Sequence, residues 1–195
     1  MTLDLIGFII NAPVRVPGLL SDRRFNMKSL VAYFSHEGEN SVNFDIKNVK
    51  KGHTRTVAEK IADLTGADIF RIVPEEPYPA DYDAVCRRAQ AEYEDNIHPA
   101  IKAPFTSLDS YDTIYIGFPI WFRSYPRVVA SFIDCFDFTG KTVKPFCTNE
   151  EGEFGMADME LERAVKAKGG KTAKGLAVRG SDVDSCDEAL RKWLQ

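Results

Sequence analysis

Short continuous apolar runs alternate with amphipathic stripes from residue 27 to the end of the chain. "SLVAYF" (Ser29 to Phe34) has the unbroken apolar character of a parallel strand covered on both faces. In "TRTVAEKIADLTG", Val57, Ala58, Ile61, Ala62 and Leu64 share one helical face, and Gly66 supplies a stop. "ADIFRIV" reads as a second strand, placed at an edge because Arg71 interrupts it. Asp81 then caps a second helix with Tyr82, Val85, Cys86, Ala89 and Tyr93 at helical spacing. "TIYIGF" (Thr113 to Phe118) is the third strand. Ser124 and Pro126 open a third helix whose Val128, Val129, Phe132, Ile133 and Phe136 point inward. "KTVKPFCT", "MADMELERAVKAKG", "AKGLAVRG" and "DSCDEALRKWL" complete the series as fourth strand, fourth helix, fifth strand and last helix.

Strict strand–helix alternation implies right-handed crossovers and a parallel sheet with helices on both faces. The expected fold is a doubly wound, five-stranded α/β domain over residues 27–195, with ligands beyond the carboxyl ends of the strands. A chain of 195 residues, 44% apolar, suits one domain with a sizeable core. A formal charge of -4 offers no basic stripe to nucleic acid, although a compact anionic ligand remains compatible with it. No run approaches the ~20 apolar residues of a membrane span. Cys86, Cys135, Cys147 and Cys186 form no C-x-x-C pair, so they read as buried thiols in a reducing compartment, the cytoplasm, and not as a zinc or redox site.

Residues 1–26 are set apart as an N-terminal extension. "LIGFII" follows Asp4 instead of a cationic segment and runs into Pro13 and Pro17, which makes a poor signal peptide. In a bacterial gene, "RRFNM" can be encoded as AGG AGG, two further codons and ATG, in the manner of a ribosome-binding site. Met27 is therefore the expected start, and peptides from Thr2 to Arg23 in the natively expressed protein would refute it.

Three strand ends carry the chemistry. After the first strand come Ser35 and then Gly52, His53, Thr54, Arg55 and Thr56 at the start of a helix, where backbone N–H groups and hydroxyls suit a phosphate. The lysine of a G-x-x-x-x-G-K-[ST] loop is missing, so a nucleoside triphosphate is not indicated. The same hydroxyls could instead cap chain ends. After the third strand, "GFPIWFRSYP" crowds Trp121, Phe122 and Tyr125 onto one loop, which suits a planar ring or, equally, a dimer contact. After the fourth strand, "CTNEEGEFG" offers Thr148, Asn149 and loop amides to polar ring edges. A phosphate cup, a stacking wall and a hydrogen-bonding edge together describe one ligand. His36 and His98 are expected to face solvent.

On "AYFS", "GHTRTVAEKIADLTGADIF", "YDTIYIGFPIWF", "DFTGKTVKPFCT" and "GLAVRGS", the chain resembles the flavodoxin-like family, and most closely its bacterial members with an elongated phosphate loop, here "SHEGENSVNFDIKNVKKGHT". The resemblance implies the strand order 2-1-3-4-5 and a non-covalent FMN. Its phosphate would be held by Ser35, Gly52, His53, Thr54 and Arg55 with neighbouring amides. Its isoalloxazine would be lined by Pro119, Ile120, Trp121, Phe122 and Arg123, with Trp121 stacked on it, and its far edge met by Thr148, Asn149, Glu150, Phe154 and Gly155. His53 stands where the family often has Asn. Arg123 departs from the family's low-potential carriers: a guanidinium about 6 Å from a reduced flavin contributes roughly 3 kcal/mol at an effective dielectric of 20, raising the potential by on the order of 100 mV. Glu150, Glu151 and Glu153 push the other way.

The resemblance implies a redox protein without catalytic side chains of its own or a metal. It would be either an electron carrier serving a protein partner, or an FMN-dependent oxidoreductase taking hydride from NAD(P)H for a small acceptor, as a monomer or homodimer. Signalling receivers share the fold, but they need acidic residues where this chain has "FSHE" and "GFPIW". A domain of the same fold that has lost its flavin and serves as an interaction module is the alternative.

Overall fold

The computed structural model describes residues 28–102 and 107–195; the N-terminal extension lies outside the described residues. In chain order the elements are β1 (Lys28–Tyr33), β2 (Gly38–Val42), β3 (Asp45–Val49), α1 (His53–Thr65), β4 (Asp68–Arg71), α2 (Tyr82–Glu94), β5 (Tyr111–Pro119), α3 (Arg127–Asp134), β6 (Thr142–Asn149), α4 (Ala157–Ala167), β7 (Lys171–Thr172), β8 (Leu176–Arg179) and α5 (Asp187–Leu194). The main sheet is parallel in the order β4-β1-β5-β6, with β7 and β8 both paired to β6. Five strand positions in the order 2-1-3-4-5 result, with Arg71 on the edge strand as expected.

Alternation along the strands divides the core in two. Leu30, Ala32 and Phe34 from β1 and its end join Ile114, Ile116 and Phe118 of β5 under Val85 of α2, Val128 and Phe132 of α3, and Leu161 and Val165 of α4. Val31, Tyr33, Tyr115 and Phe146 point the other way, onto Val57, Ala58 and Ile61 of α1 and Leu190 of α5. Each large apolar side chain among them, fully buried, is worth about 1.5–3 kcal/mol, so period-2 alternation holds the central strands β1 and β5 in register.

Three features differ from the sequence expectation. The fifth strand is interrupted: Thr172 faces Val143 and Leu176 faces Phe146, so four steps on one side match three on the other, a bulge at Ala173 to Gly175. The expected long phosphate loop is instead an antiparallel hairpin, β2–β3, forming a sheet of its own. Its two-residue turn is Asn43–Phe44, with φ of 54° and 64°. Such turns normally announce themselves as Asn-Gly, and phenylalanine in the second position hides the signal. The cysteines also differ. All four are free, but only Cys147 and Cys186 are buried, while Cys86 is half-buried and Cys135 exposed. Among the described residues, no helix is long and apolar enough to cross a membrane.

Candidate functional site

A cavity of about 350 Å³ opens at the carboxyl ends of β1, β5 and β6, between the start of α1, the Trp121 loop and the hairpin. Its polar end is built at α1. Gly52, the N-cap, provides no side-chain cap, and the first turn contains no acidic residue. Arg55 N–H donates to Ser35 Oγ at 3.3 Å and to the Gly52 carbonyl at 3.1 Å, while the amides of His53 and Thr54 find no partner among the described residues. Ser35 and Thr54 are each 2% exposed and Thr148 4%. Thr54 Oγ1 and Thr148 Oγ1 share a 2.7 Å hydrogen bond, so one of these hydroxyl protons is spent between them and the other is left for a further acceptor. Ser35 Oγ accepts from Arg55 and keeps its own proton. Two N–H groups and two hydroxyl protons thus converge with the positive end of the α1 dipole, which is the donor set an oxyanion requires.

Gly52 is where a side chain cannot be. A Cβ added there would lie 2.4 Å from both the His36 carbonyl oxygen and Ser35 Oγ. The first strand's exit loop and the helix start therefore meet backbone to backbone, leaving a concave, donor-lined wall.

The aromatic wall is a tight turn. Trp121 and Ser124 exchange two main-chain hydrogen bonds of 2.9 Å, with Phe122 and Arg123 between them at φ 49° and 63°. Trp121 packs edge-on against Phe34 at 5.4 Å, Tyr78 at 5.1 Å and His36 at 5.9 Å between ring centroids. Ser124, fully buried, donates to Glu160 at 2.6 Å, and Arg127 stands 3.6 Å from the same carboxylate. These α3 and α4 side chains support the turn from below.

The hairpin forms the opposite wall through Glu39, Ser41, Val42 and Phe44. At its root, Glu39 accepts from the Tyr82 amide at the start of α2, at 2.9 Å. At its tip, the Asn43 amide donates to Glu150 Oε2 at 2.9 Å. None of these hairpin residues was singled out by the sequence, because their role depends on an antiparallel pairing that the Asn43–Phe44 turn concealed.

Of the expected site residues, Ser35, Gly52, His53, Thr54, Pro119, Ile120, Trp121, Phe122, Thr148, Asn149 and Glu150 line the cavity. Arg55, Arg123, Phe154 and Gly155 do not. The Arg55 guanidinium bonds Glu59 at 2.8 Å and Glu37 at 3.3 Å. Arg123 is exposed, so its charge acts through solvent, where the Coulomb term falls to about a quarter of its value at dielectric 20. Phe154 packs onto Phe118 at 6.2 Å. Gly155, at φ 61°, lies so close to the Arg123 carbonyl that a Cβ would sit 2.7 Å from it, which stitches the third- and fourth-strand loops together. Asn149 lines the cavity but commits its amide to its own loop, accepting from Gly152 N at 2.5 Å and Glu153 N at 3.3 Å and donating to the Glu153 carbonyl.

Of the two histidines expected in solvent, His98 is exposed as expected and His36 is not. His98 Nδ1 meets Asp134 at 2.5 Å. His36 is only 7% exposed and lines the cavity. Burial pushes its imidazole below the ordinary range, against a weaker upward pull from Glu37. It was missed because its neighbours "EGEN" are polar, whereas its burial comes from Trp121, far along the chain. No group of three or more metal-ligating side chains occurs among the described residues.

A sequence model of the family described as Flavodoxin matches residues 28–195. Among solved structures, a Bacteroides uniformis ATCC 8492 protein assigned as a flavoprotein is 31% identical with a TM-score of 0.68, covering 87% of this chain and 98% of its own. A similarly assigned protein of Bacteroides eggerthii DSM 20697 is 29% identical with a TM-score of 0.68, covering 87% and 96%. A flavoprotein of Lactobacillus acidophilus NCFM, in complex with FMN, is 21% identical with a TM-score of 0.62, covering 87% and 99%, and is alike in fold. No curated protein matches the chain.

Proposed function

The chain belongs to the flavodoxin family, and from that premise we propose that it is an FMN-binding redox protein. The observation that carries the reading is the convergence, in one cavity, of the α1 donor set with an aromatic turn. The residues present fit FMN. Gly52 leaves a cradle that any side chain would fill, and the unpartnered His53 and Thr54 amides face a site that calls for an anion. Bound there, FMN supplies the capacity to take up and release one or two electrons.

The protein's own part is to bind, orient and shield. In this reading Ser35 and one of the paired Thr54 and Thr148 hydroxyls present protons to the phosphate while the α1 N-terminus offsets its charge. Pro119, Ile120 and Trp121 line the ring, and Val42 and Phe44 on the hairpin keep water from its other side. Arg55, Arg123, Phe154 and Gly155 act at one remove, through ion pairing or loop packing. Electrons come from a redox partner protein or from a reduced nicotinamide and leave to a small acceptor. The core thiols Cys147 and Cys186 suit a reducing compartment, and the cytoplasm is the proposed location.

The test is the visible spectrum of the purified protein with and without added FMN, followed by anaerobic titration with NADH and NADPH. Flavin bands that bleach with either nicotinamide identify a reductase; bands that persist identify a carrier fed by another protein. A colourless protein that takes up no FMN overturns the function and leaves the fold. Thr54→Ala should weaken FMN about tenfold while leaving riboflavin nearly unchanged, because only FMN has the phosphate. Equal losses would remove Thr54 from the phosphate contact.

A further inference from the structure

The β2–β3 hairpin has one edge that the fold uses and one that it leaves free. Val42 faces Asp45 across the two-residue turn, so the hydrogen-bonded pairs are Val42 with Asp45, Asn40 with Lys47 and Gly38 with Val49. The main-chain groups of the residues between them point outward. On β2 the Glu39 amide uses that direction to donate to the Ala80 carbonyl at 2.8 Å. On β3 the outward N–H and C=O groups of Ile46 and Asn48 find no partner among the described residues. Residues 43–48 are exposed without a break, with Phe44 at 80% and Ile46 at 49%. An open edge that carries exposed apolar side chains is a template for another strand.

Charged side chains normally guard such an edge against an arriving strand. Here the charges are self-complementary. The edge reads Asp45, Ile46, Lys47, and a two-fold axis through Ile46 sets each Asp45 opposite the second copy's Lys47. These fall at the non-hydrogen-bonded positions, where Cα atoms approach to about 4.5 Å and side chains lie closest, while the two Ile46 residues exchange both outward main-chain bonds. Within one chain Asp45 and Lys47 stand 3.8 Å apart at 76% and 49% side-chain exposure, a pairing weak enough to exchange. Moving the axis one residue along, to Lys47, would set lysine against lysine, which is destabilising.

We propose that β3 is a self-docking edge: two copies of this chain pair antiparallel through Ile46 and join their hairpins into one four-stranded β2-β3-β3-β2 sheet with two-fold symmetry. β3 offers five residues a side where a standard interface has about 20–30, so the dimer is weak and forms and parts with concentration. The docking needs no flavin. Because the hairpin is also a wall of the cavity, pairing steadies that wall in both copies at once.

The experiment is sedimentation equilibrium of the full-length protein from about 10 µM to about 1 mM, with the average mass compared with the 21.9 kDa of one chain. In wild type the mass should climb with concentration toward that of two chains. Asp45→Lys and Lys47→Asp, each alone, set like charges opposite one another and should weaken association at least about tenfold. Mixed in equal amounts, the two variants again place opposite charges across the axis, and association should return to within about threefold of wild type. Ile46→Cys should form a disulfide between the two substituted positions on mild oxidation, since the Cα atoms of a hydrogen-bonded pair stand about 5.5 Å apart. Peptide mapping distinguishes that link from one through the exposed Cys135. A wild type that stays at the mass of one chain at the highest concentration, or single variants that associate as wild type does, would overturn the proposal. So would a mixture that does not recover, or an oxidised Ile46→Cys protein without that link.

Discussion

Two tight turns face each other across the cavity, and both force two consecutive non-glycine residues into left-handed backbone: Asn43–Phe44 at φ 54° and 64°, and Phe122–Arg123 at 49° and 63°. Left-handed backbone costs an L residue roughly 1–2 kcal/mol, so the two turns carry strain of the same order. What holds them differs. The Phe122–Arg123 turn is closed by two main-chain bonds, rests on buried Ser124 and its bond to Glu160, and is tied to the next loop by a 2.7 Å bond from the Met156 amide to the Arg123 carbonyl. Beyond its strand pairing, the Asn43–Phe44 turn has one surface bond, to Glu150, and its phenylalanine is 80% exposed. Equal strain, unequally anchored, makes the first turn a firmly held wall and the second the tip of a lightly tethered arm.

The contrast can be broken most severely from the wall side. Ser124→Ala leaves the Glu160 carboxylate without its buried donor and should cost about 1–3 kcal/mol in urea unfolding, with a matching loss of FMN affinity as Trp121 loosens. A loss of stability without any change in FMN binding would separate the wall from the site. Trp121→Ala should weaken FMN about fivefold, equivalent to ~1 kcal/mol of ring contact; unchanged affinity in a fluorescence titration would mean that the indole only packs on Phe34, Tyr78 and His36.

From the arm side the effects are smaller. Phe44→Gly removes left-handed strain but adds glycine's unfolded-state entropy, so stability should rise by at most about 1 kcal/mol. Phe122→Gly should gain by a similar amount if the strain is equal, and a large difference between the two melting shifts would disprove equality. Glu150→Gln should change global stability by less than about 0.5 kcal/mol, since an exposed charge-assisted bond contributes little, yet it should speed proteolytic cutting within residues 41–46. No change in cutting would show that the Asn43–Glu150 bond does not hold the arm.

The same contrast explains what the sequence made legible. The five strand positions, the helices and the α1 donor set followed from local signals: unbroken apolar runs, helical stripes, and a glycine and hydroxyls at a helix start. What escaped was non-local or disguised. The hairpin was hidden because phenylalanine occupies a position normally given to glycine. His36 was assigned to solvent because its burial is conferred by Trp121, 85 positions away. Asn149 was assigned to a ligand because nothing in "CTNEEGEFG" announces that its amide turns back on Gly152 and Glu153. Arg55 was placed at the phosphate because its spacing suits it, while the partners that draw it off, Glu37 and Glu59, stand on a preceding loop and one helical turn further on.

The pairing of Gly38 with Val49 closes the hairpin at its base, so the chain enters and leaves β2–β3 at a single point. Such a segment is a detachable module. Joining residues 37 and 50 through a short glycine linker would close a smaller loop at a difference of about 1 kcal/mol in chain entropy, without altering the register of β1 or α1. The sheet would persist and the anion cup with it, while the cavity would lose one wall. Other hairpins could then be installed at the same junction, which makes this the place where ligand access can be re-engineered independently of folding.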